Sequence, residues 1–267
     1  MSEEPAQPIT GLRPGDLGEN VFVCGDPARV ERIATRWSGV ERCCDVREYR
    51  ILTGEYQGVS MTAASTGIGA PSTAILIEEL AKLGVRRLIR VGNSGGLAPS
   101  LELGDLVITT GAVRDDGTTR SYIDTIYPAV ASYEVVGSLV EAARSADARF
   151  MTGLTWSTDG FYSRNAVLGE GGKLEPMAFP GFRPPELESM LERMRMARVV
   201  NIEMESGALL TLANLYGLRA GCICVVSDRA PWPGPSELDI DKNMDTCIDV
   251  ATAAMLSIAK SPTSGSE

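Results

Sequence analysis

The chain has 267 residues, 44% of them hydrophobic, enough for a sizeable core and too apolar for disorder. With 25 Lys and Arg against 35 Asp and Glu, the net charge is −10, which argues against a nucleic-acid backbone or an anionic membrane as partner. There is no run of about 20 apolar residues, and the acidic start Met1-Ser2-Glu3-Glu4-Pro5 has no apolar signal core, so a cytoplasmic location is expected.

In chain order, residues 1–16 read as an arm punctuated by Pro5, Pro8 and Pro14. Asn20–Cys24 is an expected strand running into the turn Gly25-Asp26-Pro27, and Pro27 opens a helix from Arg29 to Trp37. Val59–Ser65 is a strand, Thr66–Ala70 a loop, and Pro71–Leu83 a helix stopped by Gly84. Val85–Val91 is a strand ending in a Gly92–Gly96 loop, and Asp105–Thr110 is another. Tyr133–Ala146 reads as a helix, Met151–Ser157 as a strand, and 163–185, rich in Gly and Pro, as a long loop or flap. Glu186–Met196 is a helix, Val199–Ile202 a short strand, Glu203–Tyr216 a helix, Cys222–Val226 a strand and Lys242–Ala259 a last helix. Alternating strands and helices give an α/β class around a mostly parallel or mixed sheet. One domain over 1–267 is expected, with the 1–11 arm and the 260–267 tail flexible.

Histidine is absent, which removes Ser-His-Asp and Cys-His catalysis and the commonest metal ligand. Acid–base work then falls to Asp or Glu. None of the six cysteines forms a CxxC pair, so buried free thiols are expected rather than a metal site.

Against the acidic background, Arg29, Arg47 and Arg90 stand beside small-residue turns. A guanidinium fork matches phosphate oxygens, and glycines let backbone N–H groups approach. Ser65-Thr66-Gly67-Ile68-Gly69 lies between a strand and a helix, where N–H groups attract anions, but it is neither a Walker loop nor a GxGxxG fingerprint. Asn201-Ile202-Glu203-Met204-Glu205-Ser206 places two glutamates at a strand-to-helix junction. They either accept from vicinal sugar hydroxyls or complement the helix dipole. Ser227-Asp228-Arg229 follows an apolar strand, where α/β sheets open ligand crevices, and Asp228 either shuttles a proton or forms a surface ion pair. Phe161-Tyr162 is suited to stack on an aromatic base or to anchor a loop.

These stretches carry a resemblance. Gly25-Asp26-Pro27-x-Arg29-Val30, Arg47-Glu48-Tyr49, Ser65–Gly69 with Pro71-Ser72, Arg90-x-Gly92-x-Ser94-Gly95, Gly104-Asp105, Tyr127-Pro128-Ala129-Val130 and Glu203-Met204-Glu205-Ser206 match, in order and spacing, the trimeric/hexameric nucleoside phosphorylases. That group contains uridine phosphorylase and bacterial-type purine nucleoside phosphorylase. The resemblance spans residues 12–259.

It implies a three-layer α/β/α fold with a mixed, distorted sheet, and phosphorolysis of nucleosides to base and pentose 1-phosphate without a cofactor. It implies phosphate held by Gly25, Arg29, Arg90 and Asn93 or Ser94, with Arg47 reaching a neighbouring subunit's phosphate. Ribose would meet Met204 and Glu205 with Glu203 nearby. The base would meet Phe161, Ser227 and Asp228, and Asp228 with Arg90 would be catalytic. A homo-oligomer is implied, with a dimer as the smallest active unit and a hexamer plausible.

The chain departs from the family in three places. Uridine phosphorylases read uracil with a Gln-x-Arg set after the aromatic pair, whereas Ser163–Gly169 has no Gln. Ser227-Asp228 resembles the purine enzymes, where the Asp protonates N7. The neighbour's histidine near the ribose 5′-hydroxyl aligns with Ile9, which suits a 5′-deoxy or 5′-methylthio sugar. Purine nucleosides are therefore expected slightly ahead of uridine. The rivals are uridine phosphorolysis with an altered pocket, a 5′-deoxy-nucleoside phosphorylase, and a non-catalytic nucleoside-binding protein. Phosphate-dependent base release separates the last from the others.

Overall fold

The computed structural model describes residues 5–231 and 238–261. The first half contains β1 (Asn20–Cys24), α1 (Pro27–Ala34), β2 (Ser38–Val46), β3 (Tyr49–Tyr56), β4 (Val59–Ser65), α2 (Ala70–Lys82), β5 (Arg87–Gly96), β6 (Leu106–Asp115) and β7 (Ala129–Val130). The second half contains α3 (Tyr133–Ser145), β8 (Phe150–Thr158), α4 (Phe161–Arg164), β9 (Ala166–Leu168), β10 (Leu174–Pro176), α5 (Leu187–Met196), β11 (Asn201–Glu203), α6 (Ser206–Leu215), β12 (Arg219–Arg229) and α7 (Met244–Lys260).

One mixed sheet runs in the order β11-β8-β6-β12-β5-β1-β4-β3-β2, with β7 on β6. Strand periodicity divides its side chains between two cores. From β1, Phe22 and Cys24 enter one core with Ile33 of α1, Leu139 of α3 and Met255 of α7. Val21 and Val23 enter the other with Leu76 and Leu80 of α2 and Leu209 and Leu212 of α6. The result is the expected three-layer α/β/α fold. The sheet is distorted because β11 pairs with β8 on one side and with β5 on the other. Five strands thus close on themselves: β5, β12, β6, β8 and β11.

Local chemistry places the first arginine. The Asp26 carboxylate accepts from the N–H of Ala28 at 2.9 Å and Pro27 begins α1, a cap worth about 1 kcal/mol. That fixes the helix start and sets Arg29 in its first turn.

Several elements differ from the sequence reading. The glycine run after Arg90 is not a loop: β5 continues through Gly96 and stays paired with β12. The glycines are there because neighbours fill the side-chain space. A Cβ at Gly92 would lie 2.9 Å from Arg90 Nη2 and from Cys224 Sγ, and one at Gly95 would lie 3.2 Å from Asp228 Oδ2. The antiparallel pair β2–β3, which extends the sheet edge, has no counterpart among the expected elements. The segment read as a flap, 163–185, holds the end of α4, the β9–β10 hairpin and the entry to α5. α6 begins at Ser206 rather than Glu203.

The arm is tied down within its described part. The N–H groups of Ile9 and Thr10 each donate to the Glu79 carboxylate at 2.9 Å, and Leu12 is buried. The expectations for residues 1–4 and 262–267 lie outside the described residues.

Candidate active site

The chain ends of β1, β4, β5, β8, β11 and β12 surround a cavity of about 830 Å³. Its wall includes Gly25, Arg29, Arg90, Asn93, Ser94, Phe161, Glu203, Met204, Glu205, Ser227 and Asp228. Every expected site residue except Arg47 therefore meets in one place. Arg47 is exposed, at φ 56 in the turn between β2 and β3, and does not line this cavity. The turn nevertheless packs on the cavity rim, since a Cβ at Gly67 would lie 2.9 Å from Glu48 Cβ. Gly67, at φ +67, has the backbone freedom that this close approach needs.

Arg90 is the buried centre, 3% exposed on β5. Its Nε donates to Glu203 at 3.1 Å and its Nη2 pairs with Glu205. Burial works against the guanidinium charge, but the two carboxylates outweigh it and hold Arg90 firmly protonated. Arg90 Nη1 is buried with no hydrogen-bond partner among the described residues.

The two glutamates do different things. Glu203 accepts from Arg90, from the N–H groups of Glu205 at 2.8 Å and Ser206, and from the Ser206 hydroxyl at 2.6 Å. Its carboxylate caps the start of α6 and is fully engaged by protein. Glu205 accepts from Arg90 and from Gly69 N–H at 2.6 Å. The anion that answers the Ser65–Gly69 loop is thus the chain's own Glu205. Burial raises the Glu205 pKa, the Glu203 charge adds to that, and Arg90 and the Gly69 N–H oppose it.

Arg29 is held just beyond Arg90 along β5. Its Nη1 donates to Val91 O at 3.3 Å and its Nη2 pairs with Asn93 Oδ1, while Asn93 Nδ2 donates to Ile240 O at 2.9 Å. Ser94 is buried, with its hydroxyl on Val225 O.

Asp228 is half-buried at the end of β12. Burial raises its pKa, partly opposed by the Ser227 hydroxyl donating to Oδ1 at 2.9 Å. Arg229 does not pair with it: its Nη2 donates to Leu101 O at 2.8 Å. The two neighbours point apart because successive strand residues face opposite sides.

Sequence reasoning missed Asn165, Met177 and Thr158, which also line the cavity. Asn165 is 6% exposed and its Nδ2 donates to Phe161 O at 2.8 Å. A search for Gln passed over an amide one methylene shorter. Arg164 beside it turns away, pairing with Asp115 at 3.3 Å. Ile9 is part-buried against the α2 side and does not line this chain's cavity.

The thiols are free as expected, and Cys24 is pushed up to about 12 by burial. No group of His, Cys, Asp or Glu suited to a metal occurs among the described residues. No described helix is long and apolar enough to cross a membrane.

Comparison with known proteins places the fold in a family. Residues 20–260 match the family model described as the phosphorylase superfamily. A uridine phosphorylase of Thermococcus kodakarensis is 46% identical over 226 residues, covering 85% of this chain and 78% of that one. A guanosine phosphorylase of Halorubrum lacusprofundi is 36% identical over 82% of each chain. The crystal structure of uridine phosphorylase from Vibrio fischeri ES114, in complex with 6-hydroxy-1-naphthoic acid, superimposes with a TM-score of 0.81 at 29% identity, covering 96% of this chain and 98% of that one. The chain belongs to the phosphorylase superfamily and is a nucleoside phosphorylase.

Proposed function

We propose that the enzyme phosphorolyses nucleosides whose base carries a lactam N–H, with uridine first and 6-oxopurine nucleosides second. The observation that carries this reading is the convergence of Arg29, Arg90 and Glu205 on one cavity, with Arg90 buried between two glutamates at its wall. Phosphate, bound by Arg29, Arg90, the Gly25 backbone and Asn93 or Ser94, sits below the sugar. Glu205, beside Met204, accepts from the ribose hydroxyls, which orients the anomeric carbon above the phosphate. The glycosidic bond then lengthens toward an oxocarbenium-like sugar, stabilised by the phosphate charge that Arg90 holds in place. Glu203 acts through Arg90 rather than on the sugar.

At the base end, Phe161 stacks and Asn165 reads the edge. Its Nδ2 is taken by Phe161 O, which leaves the amide oxygen as an acceptor. Uracil N3–H and 6-oxopurine N1–H both donate beside a carbonyl, whereas adenine and cytosine have no such N–H. This chemistry unites the uridine phosphorylase and guanosine phosphorylase relatives, and the higher identity to the former puts uridine first. The 6-oxopurine reading is favoured by Asp228, a carboxyl on the cavity wall whose pKa burial raises, the direction that a proton donor to N7 needs.

The enzyme is read as cofactor-free and cytoplasmic. It is read as a homo-oligomer in which Arg47 of one protomer reaches the phosphate of its neighbour, because the exposed Arg47 turn rims the cavity. A panel of uridine, thymidine, inosine, guanosine, adenosine, cytidine and methylthioadenosine with phosphate tests the base reading. Adenosine or cytidine cleaved as fast as uridine would remove Asn165 as the reader, and fast cleavage of methylthioadenosine would favour the 5′-deoxy sugar reading.

A further inference from the structure

Asp115 ends β6 and gathers two hydrogen-bond donors and one guanidinium from two other elements. Trp156 Nε1 of β8 donates to it at 3.1 Å and the Thr158 hydroxyl at 3.4 Å, and Arg164 Nε of α4 pairs with it at 3.3 Å. Trp156 is fully buried, so one carboxylate oxygen satisfies a core indole N–H and holds a surface helix. The Arg164 and Asp115 side chains are 26% and 20% exposed, which leaves the pair more attractive than a solvated surface bridge.

α4 is only four residues long and has no buried residue of its own. A single turn of helix does not hold itself in place. Within the turn, Arg164 N–H and the Ser163 hydroxyl donate to Gly160 O and the Asn165 amide returns to Phe161 O, while the Arg164 side chain reaches across to the sheet. Arg164 lies three residues after Phe161 and one before Asn165, the two residues read above as stacking on the base and reading its edge. Met177 N donates to Asn165 O at 3.2 Å, so the β9–β10 hairpin hangs from the same point.

We propose that the Arg164–Asp115 ion pair is a positioning device for nucleoside binding, fixing the α4 turn so that Phe161 and Asn165 meet the base in one orientation. It rests on the reading that the base lies against Phe161 and Asn165. The phosphate end is independent of it, because Arg29 and Arg90 are held by β5, Asn93 and the two glutamates.

The test compares Arg164→Met, Arg164→Lys, Asp115→Asn and Phe161→Ala for KM of uridine at saturating phosphate, KM of phosphate, and Tm. Asn at 115 keeps an acceptor for Trp156. Arg164→Met is expected to raise the uridine KM roughly threefold to tenfold with the phosphate KM unchanged. Arg164→Lys should recover part of this, and Asp115→Asn combined with Arg164→Met should be no worse than Arg164→Met alone. An unchanged uridine KM in Arg164→Met while Phe161→Ala raises it would overturn the inference and leave the base reading intact. No effect in either variant would overturn both. Equal loss on both substrates with a lowered Tm would reduce the pair to a structural tie.

Discussion

Arg90 Nε donates to Glu203 at 3.1 Å, and the same carboxylate receives the N–H groups of Glu205 and Ser206. One acidic side chain thereby joins the central strand to the start of α6 and sets Arg90, the arginine proposed to bind phosphate. Glu203→Ala leaves these donors without their acceptor. Breaking a buried pair of this kind is expected to cost about 3 kcal/mol of stability, together with a large loss of turnover. Denaturant unfolding and phosphorolysis rates measure the two effects. A variant of wild-type stability and activity would remove Glu203 from the Arg90 support.

Arg90→Ala removes the guanidinium that lies between the two glutamates at the cavity wall. Its loss is expected to lower kcat/KM by about 2–4 kcal/mol of transition-state stabilisation. Steady-state kinetics with varied phosphate checks this, and activity within about threefold of wild type would place the phosphate elsewhere.

Asp228 gives a pH-dependent signature. Its folded pKa lies above the usual carboxylate value, so its protonated form favours the fold at low pH and that contribution is lost as pH rises through the folded pKa. Asp228→Asn is therefore expected to raise Tm at neutral pH, with the gain disappearing below the ordinary Asp pKa. The same variant should slow inosine cleavage roughly 10²–10³-fold and spare uridine, whose base departs as an anion stabilised at its oxygens. Equal losses on both substrates would show that Asp228 does not act through N7.

The proposed sharing of the site between protomers predicts complementation. Arg47→Ala and Arg90→Ala subunits, each nearly inactive alone, should regain activity when mixed, since a hybrid pair contains one site with both arginines. Subunit exchange without recovery would confine Arg47 to its own chain.

Much of this site was legible because its chemistry is local in sequence. Arg29 follows its own helix cap, Arg90 ends an apolar strand run, and Glu205 precedes α6, so turns and periodicity located them. The partners were not legible. That Glu205 answers Gly69, or that Arg164 seeks Asp115, depends on strands far apart in the chain meeting at one sheet end. The glycines of Gly92–Gly96 read as a loop because a missing side chain signals either a turn or close packing, and only the neighbours Cys224, Ile202 and Asp228 decide between them. β2–β3 escaped because Ser38–Val46 is mostly exposed and carries little apolar alternation. Asn165 escaped because the family pattern points to Gln, and an amide one methylene shorter also reaches the cavity wall.

The most direct measurement follows uridine with and without phosphate, detecting uracil by its ultraviolet absorbance after separation, free ribose as reducing sugar and the sugar phosphate by phosphorus NMR. The expected result is uracil released only when phosphate is present, with one ribose 1-phosphate formed for each base. Release at the same rate without phosphate, giving free ribose, would make water the nucleophile and contradict the role given to Arg29 and Arg90. No release from uridine or any other nucleoside of the panel would leave a binding protein in place of an enzyme.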